Sequence, residues 1–305
     1  MDMVSRFKAD LGLLSVTLFW GTTFIFSKII LTDVPLNTYL FLRLGIAALA
    51  LDIYALRLRQ EWNGRVFKHG AILGILLYLS YYLQMWGIRD TSASNAGFIT
   101  GLSVVLVPVF GFLFYKIKTT LPAWISVILA ITGLLLLSGA NPFLWNKGDL
   151  KVLACAFVFA FHIIYTGRYS RQHNVYVLTA IELNVVALFA LIAYLPGHTA
   201  FPSISLKNWG ILLYLALFGT VFTYLMQTSM QRFTTVTRTA IIFAMEPVFA
   251  ALFAYLVAGE MLTPQGWLGG GLIVLSMIIA ELPWNSPHKP EQELAQSKEK
   301  PKRAN

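Results

Sequence analysis

Ten stretches of this chain are mostly apolar for about 20 residues each, the length a helix needs to cross a bilayer, and only short loops separate them. In hydrocarbon every backbone N–H and C=O must find its partner inside the protein, so runs of this length are read as helices. They lie at roughly 11–31, 36–56, 70–88, 93–115 and 121–140, and then at 150–169, 176–196, 209–230, 236–258 and 264–282. Composition removes the soluble alternative. The chain is 57% hydrophobic and 12% charged, against about 25% charged in an ordinary soluble domain. The net charge of +9 would suit a nucleic-acid binder, but the basic residues stand in loops between apolar runs, where membrane orientation accounts for them. The single cysteine, Cys155, lies in an apolar run and excludes an intrachain disulfide. The first run is long enough to span, so it is expected to remain uncleaved.

The runs form two related sets. Pro108-Val109-Phe110-Gly111-Phe112-Leu113-Phe114 in the fourth returns as Pro247-Val248-Phe249-Ala250-Ala251-Leu252-Phe253 in the ninth. Trp124 and Gly133 in the fifth correspond to Trp267 and Ser276 in the tenth, and Lys28 at the end of the first corresponds to Arg168 at the end of the sixth. Five spans is an odd number, so a second set of five enters the membrane from the opposite side. The expected fold is therefore all-α and integral to the membrane, with ten transmembrane helices as two inverted five-helix repeats. The boundaries are a cytoplasmic N-terminus (1–10), a first repeat (11–140), a second repeat (150–282) and a disordered, Pro-, Lys- and Glu-rich tail (283–305). Duplicated halves with a Pro-interrupted helix in corresponding places mark many secondary transporters.

Orientation follows from Lys and Arg. With the N-terminus inside, the cytoplasmic segments hold Arg6, Lys8, Arg57, Arg59, Arg65, Lys68, Lys116, Lys118, Arg168, Arg171, Arg232 and Arg238. The outer segments hold only Lys28, Arg89, Lys147, Lys151 and Lys207. The positive-inside rule then places both termini in the cytoplasm.

Several motifs carry a family likeness. They are Phe19-Trp20-Gly21-Thr22-Thr23-Phe24 in the first span, Thr91-Ser92-Ala93-Ser94-Asn95-Ala96-Gly97-Phe98 entering the fourth, Glu246-Pro247-Val248-Phe249 in the ninth, and Gly259-Glu260 after it. The chain resembles the EamA-type members of the drug/metabolite transporter superfamily over about residues 10–282. The resemblance implies a permease with a central cavity that works by alternating access, on cargoes such as amino acids, drugs, nucleotide precursors or other metabolites. One departure is visible: the first half has Lys116-Ile117-Lys118 where the second has Gly259-Glu260.

Ionisable side chains inside a span are costly and mark candidate sites. Glu246 lies near the middle of the ninth span, directly before Pro247, and either takes up a proton or pairs with a cationic group on the cargo, or is a structural carboxylate bonded to a Ser, Thr or backbone group. Arg43 in the second span can neutralise an anion, or bond a carboxylate or helix-end carbonyls. His162 in the sixth is a satisfied interior histidine or a proton carrier, and Glu182 in the seventh a structural partner. Trp20 and Phe24 share one face of the first span. Tyr78 and Tyr82, with Tyr81 and Gln84 alongside, form a polar-aromatic patch on the third. If these faces meet, they wall a cavity suited to an amphipathic metabolite. Pro108 and Pro247 are candidate helix breaks, because Pro removes an internal hydrogen bond. Gly97 and Gly101 provide a small-residue face for close helix packing or a sliding gate.

No Gly-rich phosphate loop, Walker pattern or metal-spaced His/Asp set occurs, so no cofactor and no metal are expected, and the chain is read as no enzyme. The function expected is a secondary transporter in the inner membrane, moving a small amphipathic metabolite such as an amino acid, with proton coupling through Glu246. Its partners are that small molecule and membrane lipids, not nucleic acid, and it acts as a monomer or homodimer. The rival readings are a membrane-embedded enzyme on a lipid-linked substrate and a non-transporting scaffold.

Overall fold

The computed structural model describes residues 3–91, 93–116, 119–138, 146–196, 203–259 and 263–281. The expected tail and Glu260 lie outside them. The first half comprises α1 (Met3–Ile30), α2 (Leu36–Ala55), α3 (Gly64–Ile88), α4 (Ala93–Gly101), α5 (Ser103–Tyr115) and α6 (Leu121–Ser138). The second comprises α7 (Lys147–Tyr169), α8 (Val175–Tyr194), α9 (Leu206–Ala216), α10 (Thr223–Gln231), α11 (Val236–Phe243), α12 (Glu246–Ala258) and α13 (Pro264–Glu281). No strand occurs among the described residues. Eight helical segments there are long and apolar enough to cross a membrane, where the sequence reading expects ten. The remaining runs are α6 and α13, at 18 residues each, at the lower edge of the length a bilayer demands.

Helix starts follow local chemistry. Asn146 and Asp149 form a reciprocal capping box: the Asn146 side chain accepts from the Asp149 N–H at 2.9 Å, and the Asp149 carboxylate from the Asn146 N–H at 3.0 Å. Asn63, Asn174, Ser205 and Thr235 cap α3, α8, α9 and α11 with their side chains alone, each satisfying orphan N–H groups at a helix start.

The two proline-bearing spans are both interrupted, in different places. The ninth breaks at Ala244–Met245, just before Glu246 and Pro247 open α12. Proline is well placed there, because its missing N–H is one that the first turn leaves unpaired in any case. The fourth breaks at Leu102, and Pro108 lies inside the continuous helix α5. Both downstream halves end on a left-handed residue, Lys116 (φ 55°) after α5 and Gly259 (φ 69°) after α12. The shared motif thus sits deeper in α5 than in α12, although the two helices are of equal length, 13 residues.

α1 packs against α10 and α12, α3 against α7 and α8, α2 against α8, α5 against α7, and α6 against α13. Glycines allow the tightest approaches. A Cβ on Gly21 would lie 2.5 Å from the Phe249 Cβ and 2.9 Å from the Ala250 backbone N, so α1 and α12 meet with no room for a methyl group. Gly21→Ala is therefore expected to destabilise the protein by about 1–3 kcal/mol, the usual cost of overpacking, read as a lowered melting temperature in detergent. Gly45→Ala on α2, where nothing lies within 4 Å of the added carbon, is expected to leave the melting temperature unchanged or to raise it.

Candidate functional site

Arg43 is 1% exposed and sits among neutral oxygens. Its Nε donates to the Thr220 hydroxyl at 3.1 Å and its Nη1 to the Tyr39 hydroxyl at 2.7 Å. Its Nη2 donates to the Tyr81 hydroxyl at 3.2 Å and to the Gly219 carbonyl at 3.1 Å. The guanidinium also lies over the Tyr81 ring, 4.8 Å from its centroid. A guanidinium has five N–H donors; these contacts use four of them, and no carboxylate pairs with it among the described residues.

The backbone supplies part of this nest. Between α9 and α10 the chain forms a π-helical turn, Leu217–Phe222. Thr220 turns its hydroxyl back to the Leu215 carbonyl at 2.9 Å while accepting from Arg43. Such turns depart from the regular helical bonding pattern, and here the Gly219 carbonyl accepts from Arg43. Position 219 must stay small, since a Cβ there would lie 2.8 Å from the Thr23 methyl group on α1.

Glu246 is the first residue of α12 and 5% exposed, with no hydrogen bond or ion pair among the described residues. It shares one cavity with Arg43. Trp20, Thr23, Ser80, Tyr81, Gln84, Thr100, Cys155, Phe159 and Tyr224 complete the lining. Gln84 Nε2 donates to the Thr100 hydroxyl at 3.1 Å. Trp20 packs edge-on against Phe159 and Phe243 at 5.6 and 5.0 Å. Apart from Gln84, every lining residue is buried. The cavity encloses about 30 Å³, where one water needs roughly 10–15 Å³ by this measure. It has room for a water or two as it stands, and any larger guest requires the helices to part.

Of the side chains singled out in the sequence, Trp20, Arg43, Gln84 and Glu246 thus converge on the cavity. His162 lies beside it: its ring stacks on Phe159 at 5.6 Å, and its Nε2 is 2.6 Å from the Glu182 carboxylate, both residues being fully buried. Phe24, Gly97, Gly101 and Pro247 meet where α4 crosses the start of α12, and Pro108 is not among these contacts. Tyr78 and Tyr82 lie outside the lining. Tyr78 stacks on Phe189, and Tyr82 packs on Trp86.

Sequence reasoning did not single out Tyr39, Thr220 or Tyr224, and nothing in their spacing marks them. Arg238, one of the cations counted on the cytoplasmic side, makes a two-point bond to buried Asp10, at 3.1 and 2.6 Å. At the other end of the bundle Lys28 donates to the Thr91 carbonyl at 3.0 Å, and Lys151 pairs with Asp90 at 2.5 Å.

Bilayer-length helices closed around a buried polar cavity define a multi-pass membrane protein. The chain belongs to the EamA-like transporter family, which matches it twice, over residues 7–139 and 146–281. It is 36% identical to an uncharacterized transporter of Archaeoglobus fulgidus, over 92% of this chain and 87% of that one. It is 26% identical to the uncharacterized inner membrane transporter YedA of Escherichia coli K12, over 89% and 90% of the two chains. A crystal structure superposes with a TM-score of 0.72 at 18% identity, covering 90% of this chain and 96% of that one, a likeness of fold alone. Family and relatives together make the protein a membrane transporter.

Proposed function

We propose that the protein is a secondary transporter of small zwitterionic, amphipathic metabolites, with free amino acids as the type, working by alternating access. One observation carries this reading: Arg43 and Glu246, opposite in charge and each lacking an oppositely charged partner among the described residues, line the same cavity. A buried charge without a counter-ion is expensive. A zwitterion relieves both costs, its carboxylate meeting the remaining Arg43 N–H and its ammonium meeting Glu246. The aromatic wall of Trp20 and Phe159 suits an apolar side chain. Without cargo, a proton on Glu246 relieves the second cost, which is the basis for proton coupling.

The architecture we infer is ten spans in two inverted repeats, 11–140 and 150–282, in the cell membrane with both termini cytoplasmic. Helix packing supports it. The α1–α12 contact answers to that of α4 and α5 with α7, and α1–α10 to α3–α7, while α2–α8 and α6–α13 answer to themselves. This is the pattern of a two-fold relation between halves.

The test is thermal stabilisation of the purified protein by leucine and by its two half-molecules, 3-methylbutylamine and 4-methylpentanoate. Leucine at about a hundred times its Kd should add about 2.7 kcal/mol, and neither half-molecule should match it at equal concentration. Equal stabilisation by either half-molecule would remove the zwitterion reading.

A further inference from the structure

Beside the cavity, α7, α8 and α10 bring together buried polar atoms that have no protein partner among the described residues. They are His162 Nδ1 and Thr166 Oγ1 from α7, Ser170 Oγ from the residue that caps it, Thr179 Oγ1 and Glu182 Oε2 from α8, and Gln227 Oε1 from α10. Among the described residues only Thr119 and Ser126 share this condition elsewhere. Buried polar groups are as a rule hydrogen-bonded, to protein or to ordered water, so such a concentration calls for a cause. Helix self-bonding is the habit of this protein's other buried hydroxyls. Thr17, Thr23, Ser80, Thr223 and Ser276 each donate to a carbonyl one turn back in their own helix. The three hydroxyls of the seam do not.

Their order is also informative. His162, Thr166 and Ser170 recur every fourth residue, which puts them on one face of α7, rising about 12 Å along it at 1.5 Å per residue. Thr179 and Glu182 share a face of α8, and Glu182 closes on His162 at 2.6 Å. From α10, Gln227 Nε2 donates to the Gln231 side-chain oxygen at 3.2 Å, and Gln231 Nε2 donates to the Ile163 carbonyl at 2.5 Å. Along α7 and α8 these groups lead, by their positions in the chain, from the turn joining the two helices to the His162–Glu182 pair. There the seam reaches the cavity, because Tyr224 and Phe159 both touch the His162 ring and both line the cavity. The titratable group facing the pair from α10 is Tyr224; behind it stand Tyr81 of α3, 5.9 Å away ring to ring, and Arg43 of α2, over the Tyr81 ring.

We propose that this seam holds a file of ordered water that gives the His162–Glu182 pair, and through Tyr224 the Glu246 cavity, proton contact with the α7–α8 end of the bundle. A proton arriving along the file binds the free Oε2 of Glu182 or Nδ1 of His162, and departs by the same water or towards the Tyr224 hydroxyl. The water file stands on its own geometry; its use in transport rests on the coupling reading of Glu246.

X-ray radiolytic labelling tests the water directly, since bound water generates hydroxyl radicals in place and a dry core does not. In the wild type, His162 should label at least tenfold faster than Phe243, an aromatic of similar burial outside the seam. In Thr166→Val/Thr179→Val, which keeps the shape and removes two file hydroxyls, that labelling should fall at least fivefold. Labelling of His162 at the Phe243 rate would overturn the proposal. So would a double variant that melts higher than wild type with His162 labelling unchanged, the result expected of a dry seam relieved of two orphan hydroxyls. For conduction, proton entry is read with a dye trapped in proteoliposomes, leucine being the probe. Loss of entry by tenfold or more in Glu182→Gln and His162→Gln, with leucine counterflow preserved, supports the path. Unchanged entry in both overturns it. Wild type that carries leucine without protons removes both the coupling role of Glu246 and the conduction step, while the labelling still decides the water file.

Discussion

Arg43→Met is expected to give a folded protein with no measurable affinity for leucine. The fold should survive because the substitution removes a buried charge together with its desolvation cost and leaves only neutral acceptors behind. The abandoned oxygens have other partners at hand. Tyr39 is already bonded to Ser27 at 2.7 Å, and the Tyr81 and Thr220 hydroxyls are 3.4 Å apart; only the Gly219 carbonyl loses its donor outright. Binding should fail because nothing else in the cavity lining carries a positive charge. Arg43→Lys sharpens the test: it keeps the charge and loses the planar fork that reaches Tyr39, Tyr81, Thr220 and Gly219 at once. The expected order of leucine affinity is Arg, then Lys weaker by about a hundredfold, then Met undetectable. Melting curves with and without leucine measure fold and binding in one sample. Leucine stabilisation preserved in the Met variant would show that Arg43 only braces α2 against the π turn.

This pair of charges shows what the sequence could and could not disclose. Arg43 and Glu246 are legible one by one, because an ionisable residue deep in an apolar run has few innocent explanations. Their convergence is not legible, since α2 and α12 meet one cavity only after the whole bundle has assembled. Helix existence and the membrane class are plain, because apolar runs of bilayer length admit one backbone solution. Helix interruptions are less so. A proline points to a break, yet Pro247 takes up the start of a new helix while Pro108 is carried inside α5, the chain having parted earlier at Leu102. The π turn at Leu217–Phe222 has no proline to announce it, although it supplies two of the four Arg43 contacts. On α3, spacing separates the Tyr78/Tyr82 face from the Tyr81/Gln84 face, and only the packing of α3 against α7 and α8 decides which one meets the cavity.

Glu246→Gln is expected to invert the preference of the cavity between leucine and 4-methylpentanoate. Glutamine keeps the shape of the side chain and gives up its charge, so α12 should start as before, with Pro247 still at its first turn. Leucine then loses a charge-assisted hydrogen bond to its ammonium, worth about 1.5–3 kcal/mol, or roughly tenfold to a hundredfold in Kd at 1.4 kcal/mol per decade. The deaminated acid moves the other way. In the wild type its carboxylate gains Arg43 but shares a small cavity with the Glu246 carboxylate, a repulsion that enforces specificity. Removing that carboxylate should tighten its binding by about tenfold. The same variant cannot hold a proton at this position, so leucine accumulation driven by a pH gradient should cease while leucine counterflow, which needs no net proton movement, continues. Binding of both compounds by calorimetry and the two flux assays in proteoliposomes make the measurement. A variant that still prefers leucine and still accumulates it down a proton gradient would show that the ammonium and the proton are handled elsewhere, and would leave Glu246 as an N-terminal residue of a broken helix.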